Sequence, residues 1–254
     1  MFDTNLGWQR FNDGLSLRRH AKCQEKIHCH FAAGLITVIR VFCQSTIHRL
    51  LHGRVHTRDR WRRFIDLHVK HRHRGIRFKG HPVRTVTQPV TREGVNDLLE
   101  KYGFTGELDL LSIDIDGMDY WVWEAVTACS PRVVAVEYNW LFGSARAVTI
   151  PYSSDFDLST IGNRAYRGAS LAALAHLGRA KGYRLVATER VNAFFVRTDL
   201  APDIREIDVA RGYRAPLNIR RGKDVYQKLV RTGLPLVDVI SGKSGTIAEL
   251  APRL

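Results

Sequence analysis

Four cysteines in 254 residues, at positions 23, 29, 43 and 129, are too few and too unevenly spread for a disulfide framework, so a reducing, cytoplasmic compartment is the expectation. No stretch approaches the roughly twenty apolar residues of a membrane-spanning helix. The most apolar one, Phe31 to Cys43, is thirteen residues long and contains Arg40, so no membrane span is expected. The opening Met1-Phe2-Asp3-Thr4 lacks the basic start and apolar run of a secretory signal. Glycines are isolated in the first third of the chain. Gly7, Gly14, Gly34, Gly53, Gly75 and Gly80 stand alone, and no Gly-x-Gly pair follows an apolar strand in residues 1 to 84. Internal repeats and low-complexity tracts are absent.

Acidic residues are scarce in one region only. The net charge is +14, but residues 1 to 84 hold 18 Lys/Arg against 5 Asp/Glu, whereas residues 85 to 254 hold 21 against 20. The first segment also carries ten of the eleven histidines. Arg58-Asp59-Arg60-Trp61-Arg62-Arg63 and Lys70-His71-Arg72-His73-Arg74 mix positive charge with aromatic rings, a pattern that nucleic-acid binders share with solvated basic arms. His48, His52 and His56 would stack on one helical face, with Cys23, His28, Cys29 and His30 nearby, yet no Cys-x-x-Cys pair supports a zinc site. His176 lies apart, among alanines and leucines, and reads as a structural or surface residue.

From Val83 onward, apolar strands alternate with helical periods, the grammar of an α/β sheet. Val83 to Pro89 predicts a strand. Thr91 can cap a helix carrying Val95, Leu98, Leu99 and Tyr102, stopped near Gly103. Leu108 to Asp114 predicts a second strand, Met118 to Cys129 a helix with Trp121 and Trp123 as core and cover, and Pro131 the end of the connection. Arg132 to Tyr138 reads as a buried strand. Asn139 to Gly168 shows no period and reads as a long loop or lid around Trp140, Tyr152 and Tyr166, candidates for contacting substrate. Ser170 can cap a helix from Leu171 to Lys181, closed by Gly182. Tyr183 to Thr188 and Asn192 to Arg197 predict an antiparallel hairpin at the sheet edge, and the tail from Ala201 offers one helix, Lys223 to Arg231. Three units follow: a basic segment 1–82, an α/β domain 83–200 and an extension 201–254.

The most informative run is Leu110-Leu111-Ser112-Ile113-Asp114-Ile115-Asp116-Gly117, an apolar strand ending among carboxylates. Two carboxylates 4 Å apart repel by about 4 kcal/mol at an effective dielectric near 20. Asp114 and Asp116 therefore need a cation, convergent N–H donors or a raised pKa. Ligands of open α/β sheets bind outside the carboxyl ends of the strands, where this cluster falls. Glu137 and Asn139 close the next strand, so four oxygen-bearing groups can converge on a hard cation such as Mg²⁺. The alternative is structural: Asp114 accepting turn N–H groups, with Asp116 and Asp119 favouring the start of the next helix.

Leu110 to Gly117 together with Val136-Glu137-Tyr138-Asn139 and the closing hairpin resembles the FkbM-like members of the class I S-adenosylmethionine-dependent methyltransferases, over residues 83 to 200. The resemblance implies a Rossmann-like sheet with a C-terminal antiparallel hairpin, the first strands being atypical or missing. It implies methyl transfer from S-adenosylmethionine to a small-molecule or glycan acceptor bearing a hydroxyl. Asp114, Asp116, Glu137 and Asn139 would be catalytic, and Asp114, Ile115, Asp116 and Gly117 would meet the cofactor. By similarity to catechol-type enzymes, Asp114, Glu137 and Asn139 would hold Mg²⁺. The family's glycine-rich loop and the acid that bonds the ribose have no clear counterpart upstream, where Glu25, Asp59 and Asp66 are the candidate acids. The competing reading is a non-catalytic remnant, or a basic nucleic-acid-binding protein acting through residues 1 to 84, that has lost cofactor binding.

Overall fold

The structure is a computed structural model that describes residues 64–68, 77–78, 81–82, 89–189, 191–213 and 219–251, with the backbone path alone at 64–68, 77–78, 81–82 and 219–222. The clusters around His48 and Cys23, the basic runs, Glu25, Asp59, the Phe31 to Cys43 stretch and residues 83–88 of the first predicted strand lie outside the described residues. No described helix is long and apolar enough to cross a membrane.

The elements run β1 (Phe64–His68), β2 (Arg77–Phe78), β3 (His81–Pro82), α1 (Val95–Lys101), β4 (Gly106–Asp114), α2 (Asp119–Ala125), β5 (Cys129–Glu137) and β6 (Val148–Thr149). They continue α3 (Leu171–Ala180), β7 (Tyr183–Glu189), β8 (Asn192–Arg197), α4 (Val209–Gly212), α5 (Ile219–Val230), β9 (Pro235–Asp238), β10 (Ser244–Thr246) and α6 (Ile247–Leu250). The main sheet is mixed, with order β1-β4-β5-β8-β7. β1, β4 and β5 are parallel, and β8 runs antiparallel to both of its neighbours. A strand at 64–68 thus stands beside the Asp-rich strand, and Asp66 pairs in register with Ser112 within it.

β4 and β5 are central, and their apolar residues Leu110, Leu111, Ile113, Val133, Val134 and Val136 are fully buried. Helix α3 closes tightly on the sheet. A Cβ at Gly178 would come within 2.8 Å of Phe195 and 3.2 Å of Trp123, so glycine there permits the approach. Ser170 caps α3 as expected. Its Oγ accepts from the Ala173 and Val148 amides at 3.1 Å and donates to the Arg146 carbonyl at 2.7 Å, tying the helix start to β6. Ser170→Ala should lower stability by about 1–2 kcal/mol in urea titration, a fully buried cap being at the upper end of the usual range.

Three expectations change. The helix predicted from Met118 to Cys129 ends at Ala125, because the Asn96 side chain catches the chain there: its Oδ1 accepts from Thr127 and Ala128, and its Nδ2 donates to the Ala125 carbonyl. Pro131 lies inside β5, opposite Leu108. It is tolerated because pairing with β8 begins only at Val133, leaving its missing N–H outside that ladder. The tail carries more than one helix. β9 pairs with β10 and with β6, so pairing crosses the boundary drawn at residue 200.

Candidate functional site

The register of the two central strands builds the site. Ile113 pairs with Val136 in the parallel ladder, so the next residues, Asp114 and Glu137, leave adjacent strand tips side by side. Asp116 follows in a left-handed backbone conformation, φ 58°, the one non-glycine residue with positive φ among those described. Aspartate adopts that region more readily than most residues, but the conformation still carries a cost, and such positions concentrate at functional sites. One carboxylate oxygen from each of Asp114, Asp116 and Glu137 falls within a 4.8 Å cluster.

The cation that this crowding requires comes from the chain itself. Arg167, in the segment between β6 and α3, donates from Nη1 to Asp116 Oδ1 at 2.7 Å and from Nη2 to Glu137 Oε1 at 2.9 Å. Nothing in the hydrophobic pattern marks Arg167, although the surplus of carboxylates on the strand tips was a signal that some cation had to answer. The convergent donors found in the turn serve Asp119, which accepts from the Ile115 amide at 3.0 Å and the Gly117 amide at 2.9 Å while almost fully buried. Asp119 thus clamps the turn that carries Asp116.

Burial raises the Asp119 carboxyl to about 7, with the nearby Asp114 charge adding to the effect and the two amide bonds opposing it. Burial likewise pushes Glu137 up, to about 8; Arg167 opposes this, and Asp114, Asp119 and Asp116 reinforce it. Both groups therefore change charge near neutrality.

The other expected site residues divide between the cavity and the surrounding loops. Asn139 is used as a loop clamp: Oδ1 accepts from Leu141 at 3.0 Å, and Nδ2 donates to the carbonyls of Ala165 at 2.9 Å and Arg167 at 2.8 Å. It positions Arg167's segment and also lines the cavity that opens beside Glu137. Gly117 is covered: a Cβ there would lie 2.2 Å from the Phe156 ring, and its carbonyl accepts from Gly168. Tyr166 is buried and donates to the Pro235 carbonyl, while Tyr152 bonds Glu93, so neither reaches the cavity.

Trp140 does reach it. A cavity of about 540 Å³ opens beside Glu137, walled by Tyr138, Trp140, Leu141, Val191 and Val225, and also lined by Asp119, Arg164, Arg167 and Lys228. The Trp140 backbone is held by a 2.7 Å bond from Tyr213 Oη. α5 was legible in the sequence, but its place over the site was not. The chain matches no protein-family model and no curated protein.

Proposed function

We propose that this chain is an S-adenosylmethionine-dependent methyltransferase of the FkbM-like kind, transferring a methyl group to a hydroxyl-bearing small-molecule or glycan acceptor. The observation that carries the proposal is the meeting of Asp114, Asp116 and Glu137 at adjacent parallel strand tips beside a cavity. The order β1-β4-β5-β8-β7, with β8 reversed between parallel-facing neighbours, supports the Rossmann-like methyltransferase sheet that the resemblance implies.

When bound, the cofactor supplies an activated methyl group, and the remaining work is orientation, worth about 7–11 kcal/mol in the best cases. Of the residues expected to hold it, Asp114 and Asp116 fit, since their carboxylates stand at the tip of β4. Ile115 and Gly117 do not, because both amides are given to Asp119 and Phe156 covers Gly117. Glu137 lines the cavity and, once ionised as pH rises through about 8, is placed to take the proton of an acceptor hydroxyl there. The three carboxylates suit Mg²⁺ by donor chemistry, and Arg167 competes with the ion for two of them.

Calorimetric titration of the full chain with S-adenosylmethionine should show binding, and a radiolabelled methyl-transfer assay over an acceptor panel should show turnover. Glu137→Gln should retain cofactor binding and lose transfer by about 10²–10⁴-fold, the usual worth of a general base. Absence of cofactor binding would contradict the proposal. One observation favours a second reading: Arg167 already neutralises the acidic tips, as it would in a non-catalytic scaffold. That scaffold would give no response to S-adenosylmethionine.

A further inference from the structure

We infer that the cavity beside Glu137 binds a small organic anion with an apolar body, its negative group held by Arg164 and Lys228. Calling that molecule the methyl acceptor rests on the proposed function; its binding does not. Three cations line the cavity, and they differ in what they already do. Arg167 is committed to Asp116 and Glu137. Arg164 and Lys228 have no hydrogen-bond or ion-pair partner among the described residues, although both line the cavity and both are exposed.

These two come from different parts of the chain, one from the segment before α3 and one from α5, and both line the same cavity. A carboxylate or phosphate entering that cavity can accept charge-assisted bonds from cations on its wall. The rest of the lining combines the apolar and aromatic side chains of Trp140, Leu141, Val191 and Val225 with the carboxyls of Glu137 and Asp119 and the amides of Asn139 and Asn163. The cavity thus brings cationic, apolar and carboxyl groups into one lining. Its volume of about 540 Å³ lies in the range of small-molecule sites. A ligand that carries an anionic group and a hydroxyl on an apolar body matches that combination.

The test is calorimetry on the full chain with three probes that share one body: 4-hydroxybenzoate, 4-hydroxyphenyl phosphate and the neutral 4-hydroxybenzamide. At least one anion should bind about tenfold more tightly than the amide, with the advantage shrinking as salt is raised. The carboxylate and phosphate arms identify which anion the cavity prefers. The double variant Arg164→Gln/Lys228→Gln, at two exposed positions, should lose that advantage and leave amide binding unchanged. Equal binding of amide and anions, no binding of any probe at millimolar concentration, or an undiminished preference in the double variant would overturn the inference. None of these readouts needs S-adenosylmethionine. Anion binding without methyl transfer would therefore sink the enzyme reading alone, and transfer to neutral acceptors with no anion preference would sink this inference alone.

Discussion

Asp119→Ala is expected to destabilise the protein by about 2–6 kcal/mol at pH 5, because it strips the acceptor from two buried amides, at about 1–3 kcal/mol each. Those amides belong to Ile115 and Gly117, the turn that carries Asp116. Against a total stability of roughly 5–15 kcal/mol, this is enough to compromise folding. The pH dependence has a definite sign. Asp119 has a folded-state pKa of about 7, above its ordinary value of 3.8. Its carboxyl therefore contributes stability that is fully present below about pH 4 and is lost as pH rises through 7, a change of about 4 kcal/mol from three pKa units. The gap between wild type and Asp119→Ala should consequently be wider at pH 5 than at pH 8. Asp119→Asn keeps one acceptor oxygen, so its smaller deficit at pH 5 should also narrow by pH 8, since the pH-dependent loss is confined to the wild type. Urea titrations at pH 5 and pH 8 measure all three proteins, and a gap that widens with pH would contradict the assignment.

Arg167→Met should act in the opposite sense with pH. At alkaline pH the variant leaves Glu137 and Asp116 charged beside Asp114 without their guanidinium, and near pH 6 Glu137 is protonated and the loss is smaller. The pair is intermediate in exposure: the side chains of Arg167, Asp116 and Glu137 are 32%, 36% and 13% exposed. The expected cost at pH 9 is therefore about 2 kcal/mol, between the ~1 kcal/mol of an exposed pair and the ~3–5 kcal/mol of a broken buried one. The same variant tests the metal. With its competitor removed, the cluster should bind Mg²⁺ more tightly than wild type in calorimetry, and no heat in either protein would remove the metal from the account.

What could be read in the sequence was what local chemistry decides. The Ser170 cap with the apolar period of Leu171, Leu174 and Leu177 specified α3 within a residue, and the apolar alternation around a three-residue link specified the β7–β8 hairpin. The acidic strand tips were legible because carboxylates next to an apolar strand demand a reason. What could not be read depends on partners distant in sequence. The end of α2 is set by Asn96, 29 residues from the carbonyl it holds, and Arg167 meets Asp116 across 51 residues through a segment with no period. Asn139 offered the same signal whether it bound a ligand or clamped a loop, and the clamp shows only once Ala165 and Arg167 are placed beside it. The short strands β6, β9 and β10 lie below the length at which alternation is visible.

The central claim is that Glu137 sits at a shared, acidic strand-tip site where burial and its neighbours hold its proton into the neutral range. Carbon-13 NMR titration of the Glu137 carboxyl in the full chain tests this most directly. A midpoint near 8, rising further in Arg167→Met as the opposing guanidinium is lost, is the expected result. A midpoint near the ordinary glutamate value of 4.5, unmoved by that substitution, would contradict the account.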